Sequence, residues 1–140
     1  MLSYNLDQAK ITGQSFGDRL SQIQNYLKNE TSDYDAKIIQ YQNGNITKQA
    51  ILQISDKHIV ILSDILTKYN MLKPPAAFAP SLELFKLSTQ SQLDSDKFLR
   101  EWLQTGDNST KVRSDQLLGQ SFDYETRAID SFNKAKTNSE

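Results

Sequence analysis

The amino-acid sequence predicts an all-α protein: an antiparallel up-down-up-down four-helix bundle with a long first helix. Three observations carry that expectation. Apolar residues recur three and four apart in four successive stretches, the spacing that lines one face of a helix. The alternation that marks a half-buried strand is almost absent. Short breaks at Gly44, Pro74-Pro75 and Gly106 separate the stretches, and connections this short make consecutive helices antiparallel neighbours.

In the first stretch Leu2, Leu6, Ala9, Gly13, Phe16, Leu20, Ile23 and Leu27 alternate spacings of four and three, the repeat of a left-handed supercoiling helix. The line continues through Glu30, Tyr34, Ile38 and Tyr41. Helix 1 therefore reads as one rod from about Ser3 to Gln42, with Asn29 to Asp33 as the place where capping residues would break it. Gly44 suits the left-handed position that ends a helix. Helix 2 opens on Thr47 as N-cap, and its line runs Ile51, Ile54, His58, Ile61, Ile65, Tyr69, Leu72 before Pro74-Pro75 stops it. Helix 3 begins between Ala76 and Ser81, with Pro80 in the first turn, and presents Phe78, Leu82, Phe85, Leu99, Trp102 and Leu103. The centre of that face reads Thr89, Gln92, Asp96 instead. Gly106 as terminator and Asp107 as a new N-cap separate helix 4, with Val112, Leu117, Leu118, Phe122, Ile129 and Phe132 as its apolar residues. The alternative is a helix running through Gly106, giving three long helices.

Composition narrows function by exclusion. At 140 residues the chain fits one domain, residues 1–140, able to bury a core without disulfides or a structural metal. Sixteen basic residues against seventeen acidic ones, interspersed, offer no basic stripe for a nucleic-acid backbone. Zero cysteines remove thiol catalysis and cysteine-ligated zinc, and no apolar run is long enough for a membrane span. Glu-x-x-His on two helices, the di-iron pattern, is absent, as are a phosphate-binding glycine loop and a strained nucleophile turn. The expectation is a non-enzymatic protein with no cofactor or metal. Asn-x-Thr sequons stand at Asn29, Asn45 and Asn108, and location is left open.

Folding the helices about their turns puts polar groups level with one another. A turn at Gly44 sets Glu30 beside His58; a turn at Pro75 sets His58 beside Gln92; a turn at Gly106 sets Gln92 beside Ser121. Asp96 and Glu125 fall within a turn of this layer. Two readings follow: a pocket for a ligand or ion between facing helices, or a hydrogen-bonded layer that satisfies itself and fixes register. A second inference concerns the start of helix 1. If Phe16 is level with Leu72, then Leu2, Leu6 and Ala9 project past the end of helix 2, since a helix rises 1.5 Å per residue. Either a second copy covers that stripe, which is the favoured reading, or the segment from Lys73 to Ala79 and the end of helix 4 fold over it, or it continues toward a preceding segment. Gly13 and Gly17, spaced for close helix approach, lie in the same region. The expected partner is a protein, or a second copy docking through helix 1.

The segments Leu84-Phe85-Lys86-Leu87-Ser88, Glu101-Trp102-Leu103-Gln104-Thr105-Gly106-Asp107 and Arg113-Ser114-Asp115 resemble uncharacterised helical proteins of ammonia-oxidising archaea. The resemblance spans under a third of the chain, from Leu84 to Glu125, and implies a helical fold without an assigned chemistry. Two functions lead, with an enzyme or metal protein centred on His58, Glu30 and Asp96 as a third behind them. One is a bundle acting through protein partners, and the other is a ligand-binding sensory bundle, the soluble part of a membrane-tethered protein, whose pocket would be the polar layer.

Overall fold

A computed structural model describes the backbone from residue 2 to 139 and the side chains of residues 13–138. Four helices follow one another: α1 (Leu2–Gln42), α2 (Lys48–Asn70), α3 (Ala79–Thr105) and α4 (Asn108–Ser139), with a short 3-10 turn, Ala76–Phe78, leading into α3. No strand occurs among the described residues. The packing is that of a four-helix bundle, and the three-helix alternative fails at Gly106, which takes φ +74° and ends α3.

The ends of the helices follow local chemistry. Gly44, at φ +79°, closes α1: Asn45 N–H reaches back to the Gln40 carbonyl and Gly44 N–H to that of Tyr41, the paired bonds of a Schellman motif. The Thr47 hydroxyl accepts from Ala50 N–H at 3.1 Å and starts α2. Asp107 Oδ1 accepts from Ser109 N–H and caps α4. Helix α1 does not break between Asn29 and Asp33. Glu30, Thr31 and Tyr34 are each held by a partner on α2 or α3, and those tertiary bonds override the weak helical preference of the segment.

Two kinds of packing build the interior. Toward one end lies an apolar cluster of Phe16, Leu20, Ile23, Ile65, Tyr69, Phe78, Leu82 and Phe85, closed by Ala128, Ala135 and Phe132 of α4. The α3–α4 interface, the most intimate in the molecule, is different in kind. Ser81, Ser88 and Ser95 on α3 recur every seventh residue, as do Ser114, Ser121, Ala128 and Ala135 on α4, and all are buried. Such small side chains let two backbones approach closely. Ser88 donates to the Ser121 carbonyl at 2.8 Å while Ser121 donates to that of Ser88 at 2.7 Å, and Ser95 repeats the bond to Ser114 at 2.7 Å.

This seam corrects the sequence reading of α4. Val112, Leu118, Phe122 and Ile129, expected on its apolar face, are exposed, whereas the buried face is Thr110, Ser114, Leu117, Ser121, Ala128 and Ala135. Bulk was the wrong signal. A close antiparallel pair selects small residues at a heptad spacing and satisfies their hydroxyls on the partner's carbonyls.

Candidate functional site

His58 sits on α2 three residues after Ser55, on the same buried face, and is 1% exposed. Its two ring nitrogens face opposite ways. Nδ1 lies 3.1 Å from Glu30 Oε1 of α1, and Nε2 lies 2.6 Å from Asp96 Oδ2 of α3. The Tyr34 ring, one turn after Glu30 on α1, stacks on the imidazole with centroids 3.9 Å apart and planes 12° from parallel. The Tyr34 hydroxyl in turn pairs with Ser55 Oγ at 2.8 Å. Gln92, one turn before Asp96, donates to Thr31 Oγ1 at 2.7 Å and closes the rim between α3 and α1.

Electrostatics follow from that geometry. Burial by itself pulls the imidazole toward its neutral form. The hydrogen bond and charge of Asp96, and after them those of Glu30, outweigh it and hold the His58 pKa above 6.5. Burial pushes the Tyr34 phenol up to about 12, with Ser55 opposing and the Asp96 charge adding to the rise. The phenol therefore stays neutral past pH 10, where a free tyrosine is half ionised.

The predicted polar layer resolves into separate sets. Glu30 meets His58 at the expected level, and Asp96, expected only within a turn of the layer, meets it as well. The level of His58 on α3 is Asp96 rather than Gln92, one turn further on, because the 3-10 turn at Ala76–Phe78 moves the effective turning point past Pro75. Ser121 is not part of this cluster. It pairs with Ser88 in the α3–α4 seam, so α4 is shifted by one turn from the register that a hairpin centred on Gly106 would set. Glu125 is not part of it either: its charge bears on the hydroxyl of Tyr69. That hydroxyl marks a second polar layer, where burial, ahead of the Glu125 charge, raises the Tyr69 pKa while the Thr89 and Gln24 side chains lower it. The sequence reading missed Ser55, Thr31 and the Tyr69 layer. Helical spacing held the signal, since Ser55 precedes His58 by three and Tyr34 follows Glu30 by four.

Chemically, the arrangement is closed. No buried side-chain nitrogen or oxygen among the described residues lacks a hydrogen-bond partner. Glu30 and Asp96 occupy opposite edges of the imidazole, so the three groups do not converge on one point, and no cluster suited to a metal ion occurs among the described residues. A cleft elsewhere, between Asp94, Lys97, Phe98 and Glu101 of α3 and Arg113 and Leu117 of α4, is shallow and open to solvent. No helix among the described residues is long and apolar enough to cross a membrane.

The expected self-association surface divides. The side chains of Leu2, Leu6 and Ala9 lie outside the described residues. Gly13 and Gly17 face inward, toward rings of the same chain: a Cβ at Gly13 would stand 3.2 Å from Phe78, and one at Gly17 3.3 Å from Phe132. The glycines are therefore not a docking surface. They make room for the aromatic cluster in which Phe78 lies 5.6 Å from Phe16 and 5.1 Å from Phe132 between ring centroids, and the segment before α3 and the end of α4 cover this part of α1.

On the outside, Leu118, Phe122 and Ile129 form a line along one side of α4, with Phe122 59% exposed. Comparison with family models, with curated proteins and with solved structures gives no match.

Proposed function

We propose that this protein is a non-enzymatic helical-bundle module that acts by binding a protein partner, and that its contact surface is the outer face of α4 rather than the start of α1. The observation that supports this is the line Leu118, Phe122, Ile129. Three large apolar side chains share one side of a helix and stay in water although the same helix buries serine and alanine. A monomeric fold gains nothing from that choice, whereas a helix face with apolar anchors four and seven apart is a recurring way of binding another helix or groove. Reaction chemistry has less support. The one histidine is sealed beneath Tyr34 and has both nitrogens engaged, which leaves no route for a substrate. The same closure weighs against a sensory pocket at that layer.

The test uses Phe122→Asp, with Val60→Asp as the control at an equally exposed apolar residue of α2. Sedimentation across a dilution series reads self-association, and affinity capture with the three proteins reads other partners. The expected result is an assembly or captured protein retained by Val60→Asp and lost with Phe122→Asp. A wild-type monomer at every concentration, together with capture that the two variants leave equal, would overturn the proposal.

A further inference from the structure

The Glu30–His58–Asp96 arrangement has a requirement that follows from the chemistry of imidazole. A neutral ring carries one N–H and one lone pair, so it can donate to one carboxylate only. The other carboxylate would then face a nitrogen lone pair at hydrogen-bond distance inside a protein. With carboxylate oxygens at 3.1 Å from Nδ1 and 2.6 Å from Nε2, the arrangement calls for a donor on both sides. It holds one proton more than a neutral imidazole between two carboxylates. These three side chains also belong to three different helices, α1, α2 and α3.

We propose that this cluster is a proton-operated clasp: one bound proton ties α1 to the α2–α3 pair, and its loss releases the Glu30 arm and loosens α1. Geometry decides which arm lets go. Asp96 makes the shorter bond and its side chain is 11% exposed, while Glu30 makes the longer one and is 20% exposed. When the ring is neutral, the remaining N–H stays with the more buried Asp96, and Glu30 has a path to water. Tyr34, stacked on the imidazole and bonded to Ser55, then carries the contact of this part of α1 with α2.

The other charges around the ring set its range. From α1 these are Glu30 and solvent-facing Asp35, whose carboxyl is raised by partial desolvation and then by Asp96, and lowered by His58. From α3 they are Asp96 and Arg100, the latter engaged with Asp56 of α2. The described ion pairs of α4, Lys111 with Asp115 and Lys134 with Asp130, stay within that helix, and its seam serines bond to α3. Carboxylates thus dominate at the ring, and the proton is held above the pH at which a free histidine would release it.

The chain has one histidine, so its ring resonances in a nitrogen–proton NMR titration need no assignment by mutation. The expected result is a doubly protonated ring at pH 6.5 and a titration midpoint above it, falling in Glu30→Gln and falling again in Asp96→Asn. Hydrogen exchange then reads the release. Amides around Glu30 and Tyr34, corrected for intrinsic rate, should exchange faster at pH 9 than at pH 6, relative to those around Ser88 and Ser121 in the α3–α4 seam. By linkage the gain is about tenfold for each pH unit by which the midpoint exceeds 6.5. A midpoint at or below 6.5 overturns the clasp, and so does a raised midpoint with an unchanged exchange ratio, which would leave the proton bound but mechanically silent. Should Asp96→Asn fail to fold, the wild-type titration and Glu30→Gln decide the matter alone.

Discussion

Replacing Ser121 by leucine tests the closeness of the α3–α4 seam, because two effects of opposite sign compete there. Burying a leucine side chain where space allows contributes about 1.5–3 kcal/mol of favourable transfer free energy. Space is what the seam lacks. Ser121 Oγ already lies 2.7 Å from the Ser88 carbonyl oxygen, so the Cγ that replaces it would fall inside van der Waals contact with backbone, which yields only if the helices separate. Overpacking of this kind costs about 1–3 kcal/mol. Loss of the hydroxyl adds about 1 kcal/mol for the bond to the Ser88 carbonyl, while Ser88 keeps its own bond to the backbone of residue 121. The leucine also forces apart the neighbouring layer, Ser95 with Ser114. Because the seam has no room to bury the added carbons, the transfer term is not realised; steric cost wins, and with the lost bond the expected loss is about 2–4 kcal/mol. The matching Ser121→Ala should lose only about 1 kcal/mol. Urea unfolding followed by circular dichroism is the assay, with the alanine variant separating hydrogen bond from bulk. At a slope of about 1–3 kcal/mol per molar urea, the leucine midpoint should fall by roughly 1 M or more. A leucine variant as stable as wild type would mean that the helices are further apart than the serine bonds imply, and the account of α4 given above would fail.

Three further outcomes are expected. Tyr34→Phe should cost about 1–2 kcal/mol in urea unfolding, since it strands the fully buried Ser55 hydroxyl, and adding Ser55→Ala to it should recover part of that loss. Thr47→Ala removes the side-chain cap of α2 and should lower stability by about 1 kcal/mol, with the midpoint moving and the slope unchanged. Wild-type stability should fall as pH rises. The folded His58 pKa is raised, so its contribution is complete below 6.5, where both folded and unfolded states carry the proton, and is lost as pH climbs through the folded value. Tyr34 ionisation begins to matter only above pH 10, because its pKa rises from 10.0 to about 12, so urea midpoints between pH 6 and 9 report the histidine, and a flat profile in His58→Gln is the control.

How far the candidate site could be read in advance depended on which turn set the register. The α1–α2 hairpin is closed by a Schellman motif at Gly44 and reopened by Thr47, so residues counted from that turn stay in phase, and Glu30 fell beside His58 as expected. The α2–α3 connection hides an extra 3-10 turn, and the level on α3 moved from Gln92 to Asp96. The hairpin at Gly106 is short and locally conventional, yet packing shifts α4 by a turn, which carried Ser121 and Glu125 out of the cluster to Ser88 and Tyr69.

By itself the sequence determined what local chemistry controls: the all-α class, the glycine and threonine boundaries of the helices, the buried faces of α1 and α2, and the level of Glu30 against His58 across one short turn. Periodicity and capping act over a few residues, and no distant contact is needed to express them. Only the tertiary structure decided which side of α4 faces inward. Whether two helices are held apart by leucines or drawn together by serines depends on both surfaces at once. A hydroxyl is polar when read in the chain and satisfied when it meets a carbonyl across the seam, and the second fact exists only after folding.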